Sequence, residues 1–162
     1  MEWIETNGGP FVMVPRRILH SWGGCLPSSP TERSDYDRAC EIGEYTGTLL
    51  EGGKLVLVFG DEPFRTTSIV EGEERLVVRW IYAKTEHDIV EAIRGRRRSA
   101  DVELPRLALG GEYILFDAAE PGSDIRGQSL LLSFAPAEYT LSTALLNPSP
   151  DTSVLVHIFS PV

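Results

Sequence analysis

Short clusters of carboxylates are the side chains of this sequence whose types and spacing are most suited to chemistry. A pair of carboxylates can act as general acid and base in glycoside hydrolysis, and a larger group can bind a divalent cation, when the side chains converge from separate strands. Each cluster here lies within a few residues, so the spacing alone does not predict convergence. The clusters are Asp35 with Asp37, Asp61 with Glu62, and Asp117 with Glu120 and Asp124.

Turn formation explains these clusters better than catalysis does. The apolar stretch KLVLVF ends at residues 60–63, GDEP, where Asp is favoured early in a turn and Pro fixes φ. Asp61 and Glu62 would also point to opposite sides of an extended chain. Residues 120–124, EPGSD, have the same turn composition. We therefore expect turns at both places. A small β-sandwich hydrolase or carbohydrate-binding module that uses the carboxylates is the alternative interpretation.

Other motifs for catalysis or cofactor binding are absent from the sequence. His20, His87 and His157 lie on different predicted elements without metal-ligand spacing, and residues 51–55, EGGKL, are not a phosphate-binding loop. There is no G-x-S-x-G stretch to support a serine nucleophile. His157 shares one face of a predicted strand with apolar residues, which indicates a packed histidine. We predict no enzyme activity, no catalytic residues, no metal and no cofactor.

The charge balance favours a basic protein partner over nucleic acid. The 162 residues include 24 acidic and 15 basic side chains, for a formal net charge of −9. Binding to phosphate backbones needs a basic surface, so we expect no direct binding to nucleic acid. An acidic surface would attract a basic partner, although acidic side chains can also serve solubility alone.

Cysteine content and hydropathy indicate a soluble cytoplasmic protein. Cys25 and Cys40 are the two cysteines, and their separation is not that of a metal site. A reducing compartment is the simplest interpretation, while a disulfide between them in an oxidising compartment remains open. The N-terminal residues do not resemble a signal peptide, and no apolar run approaches the ~18–20 residues of a membrane-spanning helix. The sequence does not indicate an oligomeric state.

Alternating strand and turn signals predict a mainly β fold. Stretches rich in β-branched and aromatic residues recur between turn residues, and glycines within 7–9, 52–53 and 110–111 predict tight antiparallel connections. We expect a single domain, residues 1–162, built as an antiparallel two-sheet sandwich with one to three short flanking helices, and an α+β fold is the alternative. The predicted strands are 2–6, 10–14, 44–50, 54–59, 65–70, 75–83, 103–109, 112–118, 129–135, 138–146 and 153–159.

Three segments have helix signals. TEHDIVEAIRG has Thr85 as a candidate N-cap, acidic residues in its first turn, an apolar stripe and a basic residue near its end. SDYDRACE would begin at a cap formed by Ser34 or Asp35, and RRILHSW follows Pro15. We expect these segments to be the short helices.

Several stretches, in order along almost the whole chain, carry a family resemblance. They are WIETNGGP, YDRACE, the strand leading into GDEP, VRWIYA, ILFDAAEPG, and a closing P-x-x-Y-T-L with DTSVLVHIF. Together they resemble the bacterial polymorphic-toxin immunity proteins of the immunity protein 21 family. The resemblance implies a β-rich intracellular protein, encoded beside a toxin, that binds the toxin and blocks its active site or substrate path. No catalytic residues are carried over from the family.

The expected partner is therefore a cognate toxin, and a basic nuclease is our hypothesis for its class. Acidic loops could then occupy a phosphate-binding groove of the toxin, and the negative charge would speed association. The candidate partner-binding residues are six carboxylates and two aromatic anchors: Asp35, Asp37, Asp61, Glu62, Glu120, Asp124, Trp22 and Tyr36.

Overall fold

The protein is mainly β, with short helices at the periphery of an antiparallel sheet. A computed structural model describes residues 1–60, 62–95, 102–103 and 106–162. The elements in chain order are β1 Phe11–Pro15, a 3₁₀ helix Arg16–Ser21, α1 Asp35–Cys40, β2 Gly47–Glu51, β3 Lys54–Phe59, β4 Arg65–Glu71, β5 Glu74–Tyr82, α2 Glu86–Arg94, β6 Val102–Glu103, β7 Leu107–Asp117, β8 Ser129–Ser149 and β9 Thr152–Pro161. The mainly β class is confirmed.

The strands belong to one hydrogen-bonded sheet instead of the two that we predicted. Their order is β2-β3-β1-β7-β8-β9-β5-β4, and β6 also pairs with β8. The difference arises because β7 and β8 continue through places that we interpreted as breaks. Gly111 has a φ of +87° inside β7, and β8 runs through Pro136. Gly inside a strand commonly marks a bend or bulge, so it need not end the strand.

The glycine-rich turns have different outcomes. Residues 52–53 close the hairpin between β2 and β3, as predicted, since both glycines have positive φ. The predicted strand at 2–6 does not form apart from a single bridge at Ile4, so residues 7–9 are a bend and close no hairpin.

Contacts along the chain group it into two compact units. Unit 1 contains Met1–Trp3, Phe64–Leu109 and Pro136–Val162, and unit 2 contains Ile4–Pro63 and Gly110–Ala135. The long strands β7 and β8 contribute residues to both units. The assignment of residues 1–162 to a single immunity-protein domain stays a prediction.

The core of unit 2 forms around β1, which is buried along its whole length. Val12 pairs with Val58 of β3 on one side and with Phe116 of β7 on the other. Burying each such apolar side chain stabilises the fold by about 1.5–3 kcal/mol. The buried cluster comprises Val12, Val14, Trp22, Ala39, Val56, Val58, Phe116 and Ala118. Because Ala39 of α1 and Trp22 belong to this cluster, α1 and the segment after the 3₁₀ helix pack against the strands.

The core of unit 1 forms between the sheet and α2. The helix begins at Thr85, which forms a capping box with Asp88, and this confirms the predicted N-cap. Its buried stripe of Ile89, Ala92 and Ile93 packs against apolar residues of β5 and β9. The strands thus cover the apolar face of the amphipathic helix.

The opposite face of β5 and β9 is also largely buried, including the charged side chain of Arg79. Arg79 is fully buried with its guanidinium 5.5 Å from the centre of the Phe64 ring. His157 is fully buried too, and its Nδ1 lies 2.9 Å from the Thr143 hydroxyl on the paired strand. Burial lowers the pKa of His157 well below its ordinary value, and the charge of Arg79 lowers it further. The prediction of a packed histidine is confirmed.

Neutral His157 should make stability dependent on pH. Its folded-state pKa is depressed, so its contribution is present above the ordinary pKa of 6.5 and is lost as the pH falls toward the folded-state value. We predict that the free energy of unfolding decreases below pH 6.5 with a component of up to about 1.4 kcal/mol per pH unit, and that His157→Asn removes this component. Urea unfolding between pH 5.5 and 7.5 measures the slope.

The exposed His87 provides the matched control. His87→Asn should leave the slope as in the unmodified chain. If the free energy of unfolding changed with pH equally in the unmodified chain and in His157→Asn, the pH dependence could not be assigned to His157.

Candidate functional site

Helix α1 and the loops around it gather the candidate partner-binding residues that the structure describes. We name this surface the α1 face and define it as α1 with residues 22–26, 41–46, 60, 62–63 and 117–127. All of these residues belong to unit 2. Asp61, one of the predicted carboxylates, lies outside the described residues.

The N-terminus of α1 is fixed by a capping box. Ser34 is the cap, which decides between the two predicted candidates, Ser34 and Asp35. Its hydroxyl accepts a hydrogen bond from the Asp37 N–H at 3.1 Å, and the Asp37 carboxylate accepts from the Ser34 N–H at 3.2 Å. A carboxylate in the first turn is also favoured by the helix dipole. Asp37 therefore has a structural role while it remains exposed to a partner.

Asp35 positions the helix against the neighbouring loop. Its carboxylate accepts a hydrogen bond from the Gly23 N–H at 2.7 Å and pairs with Arg38 at 2.8 Å. Arg38 in turn pairs with Glu51 at 3.1 Å and donates to the Leu50 carbonyl at 2.7 Å. Since only 16% of its side chain is exposed, Asp35 contributes more to the shape of the face than to its accessible charge.

Trp22 is a core residue, and its assignment as a surface anchor was wrong. None of its surface is exposed, and its indole N–H donates to the Ala118 carbonyl at 3.0 Å. The apolar cluster of unit 2 buries the ring, and this hydrogen bond satisfies its polar end.

Residues 22–26 are clamped between α1 and the segment after β7. The Tyr36 N–H donates to the Gly24 carbonyl at 3.1 Å, and the Cys25 N–H donates to the Ala119 carbonyl at 3.1 Å. Gly24 has a φ of +61°, and a Cβ there would lie 2.5 Å from the Ala119 oxygen. Only glycine fits this position, both for its conformation and for the available space.

Tyr36 is half-buried beside the two cysteines. A hydrogen bond with Cys40, together with burial and nearby negative charge, raises the pKa of Tyr36 to about 12. Its hydroxyl end lies against Gly9, where a Cβ would be 2.6 Å from the oxygen. Cys25 and Cys40 are free, exposed thiols. Partial desolvation of the sulfur raises the pKa of Cys25, and the charges of Asp117 and Asp37 raise it further, which disfavours a reactive thiolate.

The loop after β7 holds the remaining predicted carboxylates. Glu120 is half-buried and accepts from the Gly127 N–H at 2.8 Å. Asp124 is exposed and accepts from both Nε and Nη2 of Arg126, which lowers the pKa of Asp124. At the start of the loop, buried Asp117 accepts from the backbone N–H groups of Asn7 and Ala119, each at 2.9 Å. Asp117 therefore positions the backbone at Asn7 and at the start of the loop after β7.

The C-terminal end of α1 adds an acidic patch that the sequence pattern did not reveal. Glu41 and Glu44 are exposed, and 42% of Tyr45 is exposed. The Gly60 N–H donates to the Tyr45 carbonyl at 3.0 Å, so this loop lies beside exposed Glu62. The predicted strand 44–50 includes Glu44 and Tyr45, whereas β2 begins at Gly47, so both residues lie in the preceding loop.

Gly60 has a steric role beyond ending β3. A Cβ at this position would lie 2.1 Å from the Glu44 carbonyl oxygen. The close approach of the two loops therefore requires glycine, which places the Glu44–Tyr45 segment against Gly60 at the end of β3.

Net negative charge is concentrated in unit 2. Its sequence has 13 acidic and 6 basic side chains, a net charge of −7, whereas unit 1 has 11 and 9, a net charge of −2. The α1 face thus belongs to the unit that carries most of the excess charge.

The described carboxylates form an ordered acidic surface and not a metal centre. Asp35, Asp37, Glu120 and Asp124 each accept hydrogen bonds from local backbone or from arginine. In the part of the chain that the structure describes, no group of three or more His, Cys, Asp or Glu residues could hold a metal ion. The local hydrogen bonds are suited to presenting fixed charges to a partner.

A family model described as immunity protein 21 matches residues 2–152, which is nearly the whole chain. The chain belongs to the immunity protein 21 family. The resemblance inferred from the sequence is therefore confirmed. An immunity-protein family implies toxin neutralisation and binding of a cognate toxin, and such families are generally non-enzymatic. No curated protein and no solved structure matches this immunity protein.

The helices of this immunity protein, as far as the structure describes them, are too short or too polar to cross a membrane.

Two carboxylates of the α1 face should differ in their effect on stability. Asp35→Ala leaves the Gly23 N–H without its acceptor and Arg38 without one of its carboxylates, so we predict a loss of about 1–3 kcal/mol in the free energy of unfolding. Asp124→Ala removes an exposed pair with Arg126 that solvent screens, and it should leave the free energy of unfolding nearly unchanged. Urea unfolding of the two variants measures both effects. Equal losses would contradict the division between positioning and exposed carboxylates.

Proposed function

We propose that this immunity protein neutralises a basic toxin by binding it through the α1 face and blocking its active site or substrate path. The observation that carries the proposal is the concentration of negative charge in unit 2, which has 13 acidic and 6 basic side chains, in a member of an immunity-protein family. A patch of one sign attracts a partner patch of the other sign and sets the orientation of encounter.

A nuclease is the toxin class that this surface suits best. Nucleases bind phosphate groups with Lys and Arg, and the same side chains form strong charge-assisted hydrogen bonds with carboxylates. The carboxylates of Asp37, Glu62 and Asp124 would take the place of substrate phosphates. Because the loops of the α1 face are held by local hydrogen bonds, little conformational freedom would be lost on binding.

Tyr45 is the aromatic anchor that we propose in place of Trp22. Tyrosine is enriched among the residues that dominate binding energy at interfaces. Tyr45 is 42% exposed and stands beside Glu44, so it can bury its ring while the surrounding carboxylates bind basic side chains. Tyr36 lies half-buried nearer the cysteines and would contribute only its exposed edge.

We further propose that the protein acts in the cytoplasm, without a cofactor and without direct contact with nucleic acid. The free thiols of Cys25 and Cys40 are compatible with a reducing compartment. The alternative of a hydrolase or carbohydrate-binding module would need carboxylates that are available to a common ligand. The local hydrogen bonds of Asp35, Asp37, Glu120 and Asp124 argue against that use.

Co-expression with the toxin encoded beside it tests the proposal. The unmodified chain should rescue growth and bind a catalytically inactive form of that toxin. The triple variant Glu41→Gln, Glu44→Gln and Glu62→Gln removes three charges from the α1 face, so we predict that its affinity falls by about tenfold or more. Calorimetry measures the affinity, and colony counts measure the rescue.

A second triple variant controls for net charge. Glu112→Gln, Glu138→Gln and Asp151→Asn remove the same number of charges from exposed ion pairs outside the α1 face. Its affinity should stay within about threefold of the unmodified chain, since these three charges lie outside the proposed interface. The proposal would be wrong if the toxin neither bound nor was neutralised, or if the two triple variants lost affinity equally.

A further inference from the structure

Leu26, at the end of the loop 22–26, is an apolar side chain that the α1 face presents to solvent. Its exposed fraction is 69%, the largest among the large apolar side chains that the structure describes. Pro27, which follows it, is exposed as well. Single exposed apolar side chains are common on protein surfaces, so exposure alone does not indicate a binding site. The further evidence is the way in which the backbone around Leu26 is fixed.

A tight turn sets the direction of the Leu26 side chain. The Leu26 N–H donates to the Gly23 carbonyl at 3.2 Å, which closes a four-residue turn. Gly24, the first central residue, has a φ of +61°, and Cys25 has a negative φ because no described residue other than glycine has a positive one. A positive φ followed by a negative one is the pattern of a type II′ turn, which favours glycine at its first central position.

The turn is itself bonded to its surroundings. Backbone hydrogen bonds join residues 22–26 to α1 on one side and to the segment after β7 on the other. The Gly23 N–H adds a bond to the Asp35 carboxylate at 2.7 Å. The ring of Pro27 also disfavours helical conformations for Leu26, because it would collide with the preceding residue. Leu26 therefore projects from a backbone that has little conformational freedom left.

The Leu26 side chain has no evident part in folding. Among the described residues, it belongs neither to the buried cluster of unit 2 nor to the apolar residues packed against that cluster. A leucine on a fixed backbone loses only its side-chain rotamer freedom when a partner buries it, whereas a mobile loop would also lose backbone freedom. Most of the free energy gained by burying Leu26 is thus available for binding.

We propose that Leu26 is an apolar anchor of the α1 face and inserts into an apolar pocket of the toxin. This inference rests on the proposed function for the identity of the partner. It assigns to the toxin an apolar pocket beside the cationic side chains that the carboxylates bind. It also adds a source of affinity that salt does not screen.

Leu26→Ala tests the contact, because it removes most of the apolar side chain and leaves the backbone in place. With a catalytically inactive form of the adjacently encoded toxin, calorimetry should show a loss of affinity of about tenfold or more. Leu26→Met keeps the apolar volume and should stay within about threefold of the unmodified chain. Leu131→Ala is the matched control, since Leu131 is a leucine of unit 2 that is 54% exposed and lies outside the α1 face. It should also stay within about threefold.

Salt separates the apolar contact from the charges. Counterions screen charge pairs and leave apolar contacts in place, so the loss for Leu26→Ala should be of equal size at about 50 mM and about 500 mM salt. The loss for the triple charge variant of the α1 face should become smaller over the same range. A loss for Leu26→Ala that disappeared at the higher salt concentration would overturn the inference.

The thiol of Cys25 reports the contact in the unmodified chain. It is free, exposed and adjacent to Leu26. Its rate of alkylation by N-ethylmaleimide, measured at this residue by peptide mass spectrometry, should fall by about tenfold or more when the toxin is bound. An unchanged rate, or Leu26→Ala binding as the unmodified chain does, would overturn the inference. Slower alkylation without toxin, in a concentration-dependent dimer, would assign the contact to a second copy and also overturn it.

The two proposals fail in different ways. If the triple charge variant loses affinity while Leu26→Ala does not, the proposed function stands and the apolar anchor falls. If the unmodified chain forms no complex with the toxin, both fall together.

Discussion

Backbone hydrogen bonds hold residues 22–26 between α1 and the segment after β7. The geometry of the α1 face depends on these hydrogen bonds. The Gly24 carbonyl accepts from Tyr36 on one side, and the Cys25 N–H donates to Ala119 on the other. Trp22 anchors the beginning of this loop in the core. A side chain larger than hydrogen at residue 24 would collide with the Ala119 oxygen. These contacts therefore set the distance between the carboxylates of α1 and those of the loop after β7.

Fixed carboxylates are suited to the specific recognition of a partner. An exposed charge on a mobile side chain contributes little to recognition, because it loses conformational freedom when it binds. In this protein Asp37 caps a helix and Asp124 is held by Arg126. The hydrogen bonds that stabilise the fold also orient the charges. A binding function needs no convergence of these groups on a single ligand, and this agrees with the family to which the chain belongs.

Local signals predicted the helices well because their causes are local. The capping boxes at Ser34 and Thr85 depend on residues three positions apart, which the sequence displays directly. The burial of His157 followed from strand alternation. By contrast, three other features depend on residues that are distant in sequence. They are the burial of Trp22, the continuation of β7 through Gly111 and the contact between Gly60 and Glu44. No local pattern could show that Tyr45 is exposed in a loop and not within a strand.

The dependence of association rate on ionic strength is the most direct test of the central claim, that an acidic surface captures a basic toxin. Stopped-flow mixing of the full chain with an inactive form of the toxin should show an association rate constant that falls by about tenfold or more between 20 and 500 mM salt. The reason is that the screening length for the attraction falls from about 20 Å to about 4 Å over this range. A rate constant that stays unchanged across this range would contradict the account.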